Sequence, residues 1–124
     1  MREILFKAKT IDGKRWVEGY YFAKPILNRY FIICDEAQWE VDADTICQYT
    51  GLTDKNGNKI WENDVCKGRY WENGNPHRLI GKVDYVYGEY LVCGVKQYEG
   101  FHSELNGAYE VIGNVFDNAE LLEE

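Results

Sequence analysis

Turn-forming residues interrupt this chain so often that only short extended segments fit between them. Asp12-Gly13, Pro25 with Asn28, Asp42 with Asp44, Asn56-Gly57, Asn73-Gly74 and Gly88-Glu89 recur at about the 8–12-residue spacing of sheet proteins. Asp-Gly and Asn-Gly supply the positive φ that a tight hairpin needs. Between these breaks the pattern has a period of two. Phe6 and Ala8 alternate with Lys7 and Lys9, and Trp16, Tyr20 and Phe22 share one face of the next run. Tyr30-Phe31-Ile32-Ile33-Cys34 is a continuous apolar run of strand length. Further strands are expected over 39–41, 45–49, 59–61, 65–71, 79–87, 90–95 and 109–116, while 72–77 and 96–107 read as loops. Helix is expected only over 117–122, for one or two turns, with Asp117 or Asn118 as the cap. Nine or ten such strands predict an all-β fold, a small barrel-like (SH3-like) architecture ending in a short helical turn. One domain of 1–124 is expected, with an N-terminal lobe over about 1–49 and a barrel-like lobe over about 50–122.

Composition narrows the class further. Hydrophobic residues make up 45% of the 124 and charged residues 28%, the balance of a folded globular chain rather than a disordered one. No apolar run approaches the roughly 20 residues of a membrane span, and the charged start is unlike a secretory leader. A cytoplasmic protein without membrane association is expected. Net charge is −7, and it is uneven: residues 1–50 carry 7 basic and 8 acidic side chains, residues 51–124 carry 7 and 13. Such a chain is not expected to bind nucleic acid through its overall field, because counterion release needs clustered cations.

Cys34, Cys47, Cys66 and Cys93 are separated by 13, 19 and 27 positions, and His77 and His102 stand apart from them. That spacing lacks the paired ligands of a zinc knuckle. Each cysteine lies in a strand-like run and reads as a small, reduced core hydrophobe. The 54–58 segment has the oxygen-rich composition of a calcium loop, yet Lys55 and Lys59 oppose a divalent ion and no closing glutamate follows; a hairpin turn is the better reading. His102-Ser103-Glu104 contains triad residue types, but neighbours in sequence do not converge as nucleophile, base and orienter. No phosphate loop, nucleophile elbow or metalloprotease helix occurs. No catalytic residue, metal or cofactor is expected.

One surface runs against the acidic bulk. On a strand over 65–71 the period of two places Lys67, Arg69 and Trp71 on one face, and on the following strand Arg78 and Lys82 share a face interrupted by Asp84. If the two strands form a hairpin, these faces coincide. Lys67, Arg69, Trp71, Arg78 and Lys82 are therefore the candidate surface for an anionic ligand or a partner. Pairing of these cations with Glu72, Asp84 and neighbouring acids is the expectation preferred for them, given the acid excess of this half.

Three segments carry a more specific signal. Asp44-Thr45-Ile46-Cys47-Gln48-Tyr49-Thr50-Gly51-Leu52-Thr53-Asp54-Lys55-Asn56-Gly57, followed by Ile60-Trp61-Glu62-Asn63-Asp64-Val65, resembles the signature of the YopX family of phage and prophage proteins. That signature is an acidic residue, "TI-x-QYTGL-x-DKNG", an apolar–aromatic pair and "E-G-D". The ending from Val111 to Leu122 is similar to the family terminus, and Arg2-Glu3-Ile4-Leu5-Phe6-Lys7-Ala8 to its start. Asn63 stands where the family has glycine, and asparagine is the next most tolerant residue at positive φ. Ala119 stands where the family has proline. The resemblance implies a β-rich, barrel-like, phage-encoded cytoplasmic protein and supplies no catalytic residues. The function expected first is a non-catalytic module that binds a host or phage protein. A nucleic-acid-associated module is the alternative, an enzyme comes third, and homo-oligomerisation stays open.

Overall fold

The computed structural model describes residues 4–122, so Arg2 and Glu3 of the opening motif lie outside the described residues. The all-β expectation is met: among the described residues eleven strands are joined by turns, and helix occurs only as single 3-10 turns. The chain divides into two compact units that meet in sequence at Gly51–Leu52.

The first unit contains β1 (Phe6–Lys9), β2 (Trp16–Lys24), β3 (Arg29–Cys34), β4 (Ala37–Val41) and most of β5 (Cys47–Thr53). These strands lie in the order β4-β3-β2-β1-β5. Asp12-Gly13 makes the predicted hairpin between β1 and β2, with Gly13 at φ +74°. Ala8, Val17, Ile32 and Val41 form the core. Trp16 and Tyr20 thus lie on the opposite face from buried Val17. Tyr20 is 69% exposed, and Trp16 is flanked by the ammonium groups of Lys7 and Lys9 at 4.6 and 5.6 Å.

The second unit follows through β6 (Lys59–Trp61), β7 (Asp64–Glu72), β8 (Asn75–Val86), β9 (Glu89–Gly94), β10 (His102–Glu104) and β11 (Glu110–Asn114). The last five form an antiparallel sheet in the order β10-β9-β8-β7-β11. Ile60, Cys66, Leu79, Val83, Val92, Leu105 and Tyr109 are its buried core. β10 and β11 are the two sheet edges and do not pair with each other, so the sheet is open. The expected barrel is corrected accordingly: closure needs edge-to-edge hydrogen bonds, and the chain instead passes from β10 to β11, on the far side of β7, through a segment that contains the buried residues Leu105 and Tyr109.

Other expectations shift locally. The loop expected over 72–77 contracts to Asn73 and Gly74, both at positive φ (+52° and +79°), which lets β7 and β8 run to Glu72 and Asn75. The loop expected over 96–107 contains a 3-10 turn, Lys96–Tyr98, and β10, which pairs with β9. The terminal turn is 3-10 over Ala119–Leu121; Asn118 sits at its N-cap position without capping it, because its Oδ1 accepts from the Asn114 N–H instead. Asn63 takes φ +69°, as its replacement of glycine requires.

Candidate functional site

β7 and β8 form the hairpin on which the candidate surface depends. Their register places Lys67 opposite Ile80, Arg69 opposite Arg78 and Trp71 opposite Pro76. Residues opposed across a sheet point to the same face, so Lys67, Arg69, Trp71 and Arg78 share one side. The other side carries Cys66 and Leu79, both buried in the core, and Tyr70, which stacks on His77 and Phe101.

These four residues border a groove of about 610 Å³, together with Lys55, Gly68, Asn106, Ala108 and Tyr109. Glu110 is the carboxylate that answers the cations: its Oε2 lies 3.4 Å from Lys55 Nζ and 3.7 Å from Lys67 Nζ. Arg69 and Arg78 are different. They face each other directly across the hairpin, both exposed, and among the described residues no carboxylate lies within ion-pair distance of either. Two like charges directly opposed destabilise a sheet. Trp71, two residues on, is 66% exposed.

Lys82 does not join this group. Its Cα partners are Val65 and Cys93, and its ammonium pairs with Asp84 at 3.3 Å. Thus four of the five candidate residues converge, one is neutralised elsewhere, and Lys55 and Tyr109 enter the site from outside the predicted stripe. Tyr109 is placed by packing: its ring lies against the Cα of Gly68, where an added Cβ would meet Tyr109 Cδ1 at 2.4 Å. Its hydroxyl donates to the Arg69 carbonyl at 3.2 Å.

The groove is held by Asp54. One carboxylate oxygen accepts from the N–H groups of Asn56 and Asn58, both at 2.9 Å, and the other from the Val111 N–H at 3.0 Å. Burial pushes this carboxyl up, but the three backbone donors outweigh burial and hold it below the usual carboxylate range. Both oxygens are therefore engaged by backbone N–H groups, and the 54–58 segment is a hairpin turn tied to β11, with Gly57 at φ +85°.

Three of the four thiols are weak nucleophiles. Burial pushes the thiols of Cys34, Cys66 and Cys93 up, which suppresses thiolate. Cys47 and Cys66 are core residues as expected, whereas Cys34 and Cys93 are only partly buried, because each sits near the end of its strand. His102, Ser103 and Glu104 form β10, in which successive side chains alternate in direction. Among the described residues no cluster of three or more His, Cys, Asp and Glu could hold a metal, and no helix is long and apolar enough to cross a membrane.

No curated protein matches the sequence. The fold is similar to the crystal structure of protein EF1440 from Enterococcus faecalis, with 23% identity, a TM-score of 0.56 and coverage of 99% of this chain and 100% of that one. At that identity the likeness speaks for the fold alone. Residues 7–123 match the family model described as YopX protein. The chain belongs to the YopX family.

Proposed function

We propose that the chain is a phage- or prophage-encoded accessory protein that works without catalysis, as a protein-binding module, through the groove beside β7. The observation that carries this reading is the unanswered pair Arg69 and Arg78 next to exposed Trp71. Exposed arginine and tryptophan are the residue types that concentrate binding energy at protein interfaces. A cross-strand pair of like charges is unfavourable in the free protein, and an anionic partner group would relieve it. Binding of single-stranded nucleic acid uses similar residue types but needs a basic field. Residues 51–124 carry 13 acidic against 7 basic side chains, and Glu110 already engages Lys55 and Lys67.

The test is capture from nuclease-treated host lysate by the tagged protein and by an Arg69→Glu/Arg78→Glu variant of unchanged circular dichroism. A stoichiometric protein held by the first and released by the second supports the reading. Retention of that protein by the variant overturns it, as does co-purification of nucleic acid alone before nuclease treatment.

A further inference from the structure

The groove has a second property besides charge: it runs along a stretch of unpaired strand edge. β11 covers β7 only from Asp64 to Lys67. Beyond Lys67 the chain on that side has turned away through residues 105–109, and among the described residues no strand pairs with Gly68, Arg69, Tyr70, Trp71 or Glu72 on that edge.

The direction of the backbone groups follows from two independent hydrogen bonds. Val95 N–H donates to Ile80 O at 3.0 Å, so Ile80 points its backbone at the β9 side and its neighbours Leu79 and Gly81 point theirs at β7. Their partners Gly68 and Cys66 therefore bond to β8, and Lys67, Arg69 and Trp71 point outward. The Tyr109 hydroxyl bonded to Arg69 O confirms that direction for Arg69. The N–H of Arg69 and both backbone groups of Trp71 consequently face the groove without a strand partner. An exposed edge of this kind is a template for an added strand.

We infer that the groove takes an extended acidic peptide segment, which adds to the free edge of β7 at Arg69 and Trp71 and seats a carboxylate between the Arg69 and Arg78 guanidiniums. The inference rests on the protein-binding reading and gives it a partner chemistry. Alternation then specifies the peptide. Side chains on the same face of an added strand recur every second residue. The segment therefore carries an acidic residue two positions from an apolar or aromatic one, the first on the arginine pair and the second on Trp71. A nucleic acid offers the anion but no row of backbone N–H and C=O groups to complete the ladder.

The probe is a capped peptide of about ten residues that alternates threonine with glutamate and valine, compared with the same peptide N-methylated at alternate backbone nitrogens. Binding is read by anisotropy and by amide hydrogen exchange of the full-length protein. The acidic peptide is expected to slow exchange at the Arg69 and Trp71 N–H groups by about tenfold or more, and N-methylation on the bonding edge to weaken binding by about tenfold. Arg69→Glu/Arg78→Glu should weaken it comparably, and Trp71→Ala less. Binding without protection of these two amides, equal binding of the N-methylated peptide, or no binding overturns strand addition. Oligothymidylate that binds with a steep salt dependence assigns the groove to single strands instead. A lysate protein released by the double arginine variant, with no amide protection by the peptide, sinks strand addition and leaves the protein-binding reading standing. A lysate protein retained by that variant sinks the reading itself.

Discussion

The hydroxyl of Tyr109 donates to the main-chain carbonyl of Arg69 across 3.2 Å, although the two residues stand 40 positions apart in the sequence. This bond joins the turn before β11 to the outward edge of β7, and the ring lies flat enough on Gly68 to leave no space for a side chain there. Gly68→Ala would bring a Cβ within 2.4 Å of Tyr109 Cδ1 and 2.6 Å of Cε1. The aromatic ring is 1% exposed and cannot swing away. The expected cost is about 1–3 kcal/mol, as for other overpacked cores. Tyr109→Phe keeps the packing and removes the hydrogen bond, at about 1 kcal/mol. Urea denaturation measures both; a glycine substitution that costs nothing would mean the ring is not held against β7.

Asp54 makes the stability of the second unit sensitive to acid. Its carboxyl is held below the ordinary range in the folded protein, against about 3.9 for an unperturbed aspartate. A depressed folded value means that the stabilisation is fully present above the unfolded value and is lost as pH falls through the folded one. Unfolding free energy should therefore be insensitive to this group above about pH 5 and decline below about pH 4. Asp54→Asn removes the charge and faces an NH2 group with a backbone donor, so it should cost about 1.5–3 kcal/mol at neutral pH and flatten the acid decline. An unchanged acid limb in that variant would place the linkage elsewhere.

How far the sequence reveals this arrangement depends on whether a feature is local. The β7–β8 hairpin is legible because Asn73-Gly74 and the period of two both lie within one short stretch. The coincidence of Lys67, Arg69, Trp71 and Arg78 follows from register alone. Lys55 and Tyr109 are not legible, because they reach the groove only when β11 returns to β7 and Asp54 bonds to Val111, 57 residues away. β10 was hidden for another reason: His102, Ser103 and Glu104 have no apolar alternation, and their strand state comes from the partners offered by β9. Trp16 is large and apolar, yet packs on the outer face beside two lysines, so residue size alone does not identify the core face of β2.

The turn between β3 and β4 is a place where the sequence departs from local preference. Asp35 and Glu36 take φ +49° and +64° without a glycine between them, the left-handed region that costs a glutamate roughly 1–2 kcal/mol. Glu36→Gly removes that strain and loses part of the gain to the freer unfolded chain, by about 0.4–1 kcal/mol. The net expectation is a rise in stability of about 0.5–1 kcal/mol, read as a higher denaturation midpoint. A fall in stability would show that the Glu36 side chain has a favourable role that outweighs its backbone.

The arginine pair separates a solvated surface from a binding surface. Arg69 and Arg78 repel across the hairpin without a carboxylate between them, and Arg78→Glu turns that repulsion into a cross-strand attraction. The folded protein should gain about 0.2–1 kcal/mol at low salt, with the gain shrinking as salt rises. If the cations only solvate the surface, that gain comes without functional cost. If they hold an anionic partner, the same substitution stabilises the protein and weakens partner capture. Stability set aside for binding is the common pattern at functional sites. Thermal melts at two salt concentrations, paired with the capture assay on the same variant, measure both quantities at once. A more stable variant that still captures the partner would remove Arg78 from the interface, and a less stable one would show that the pair is not repulsive in the folded protein.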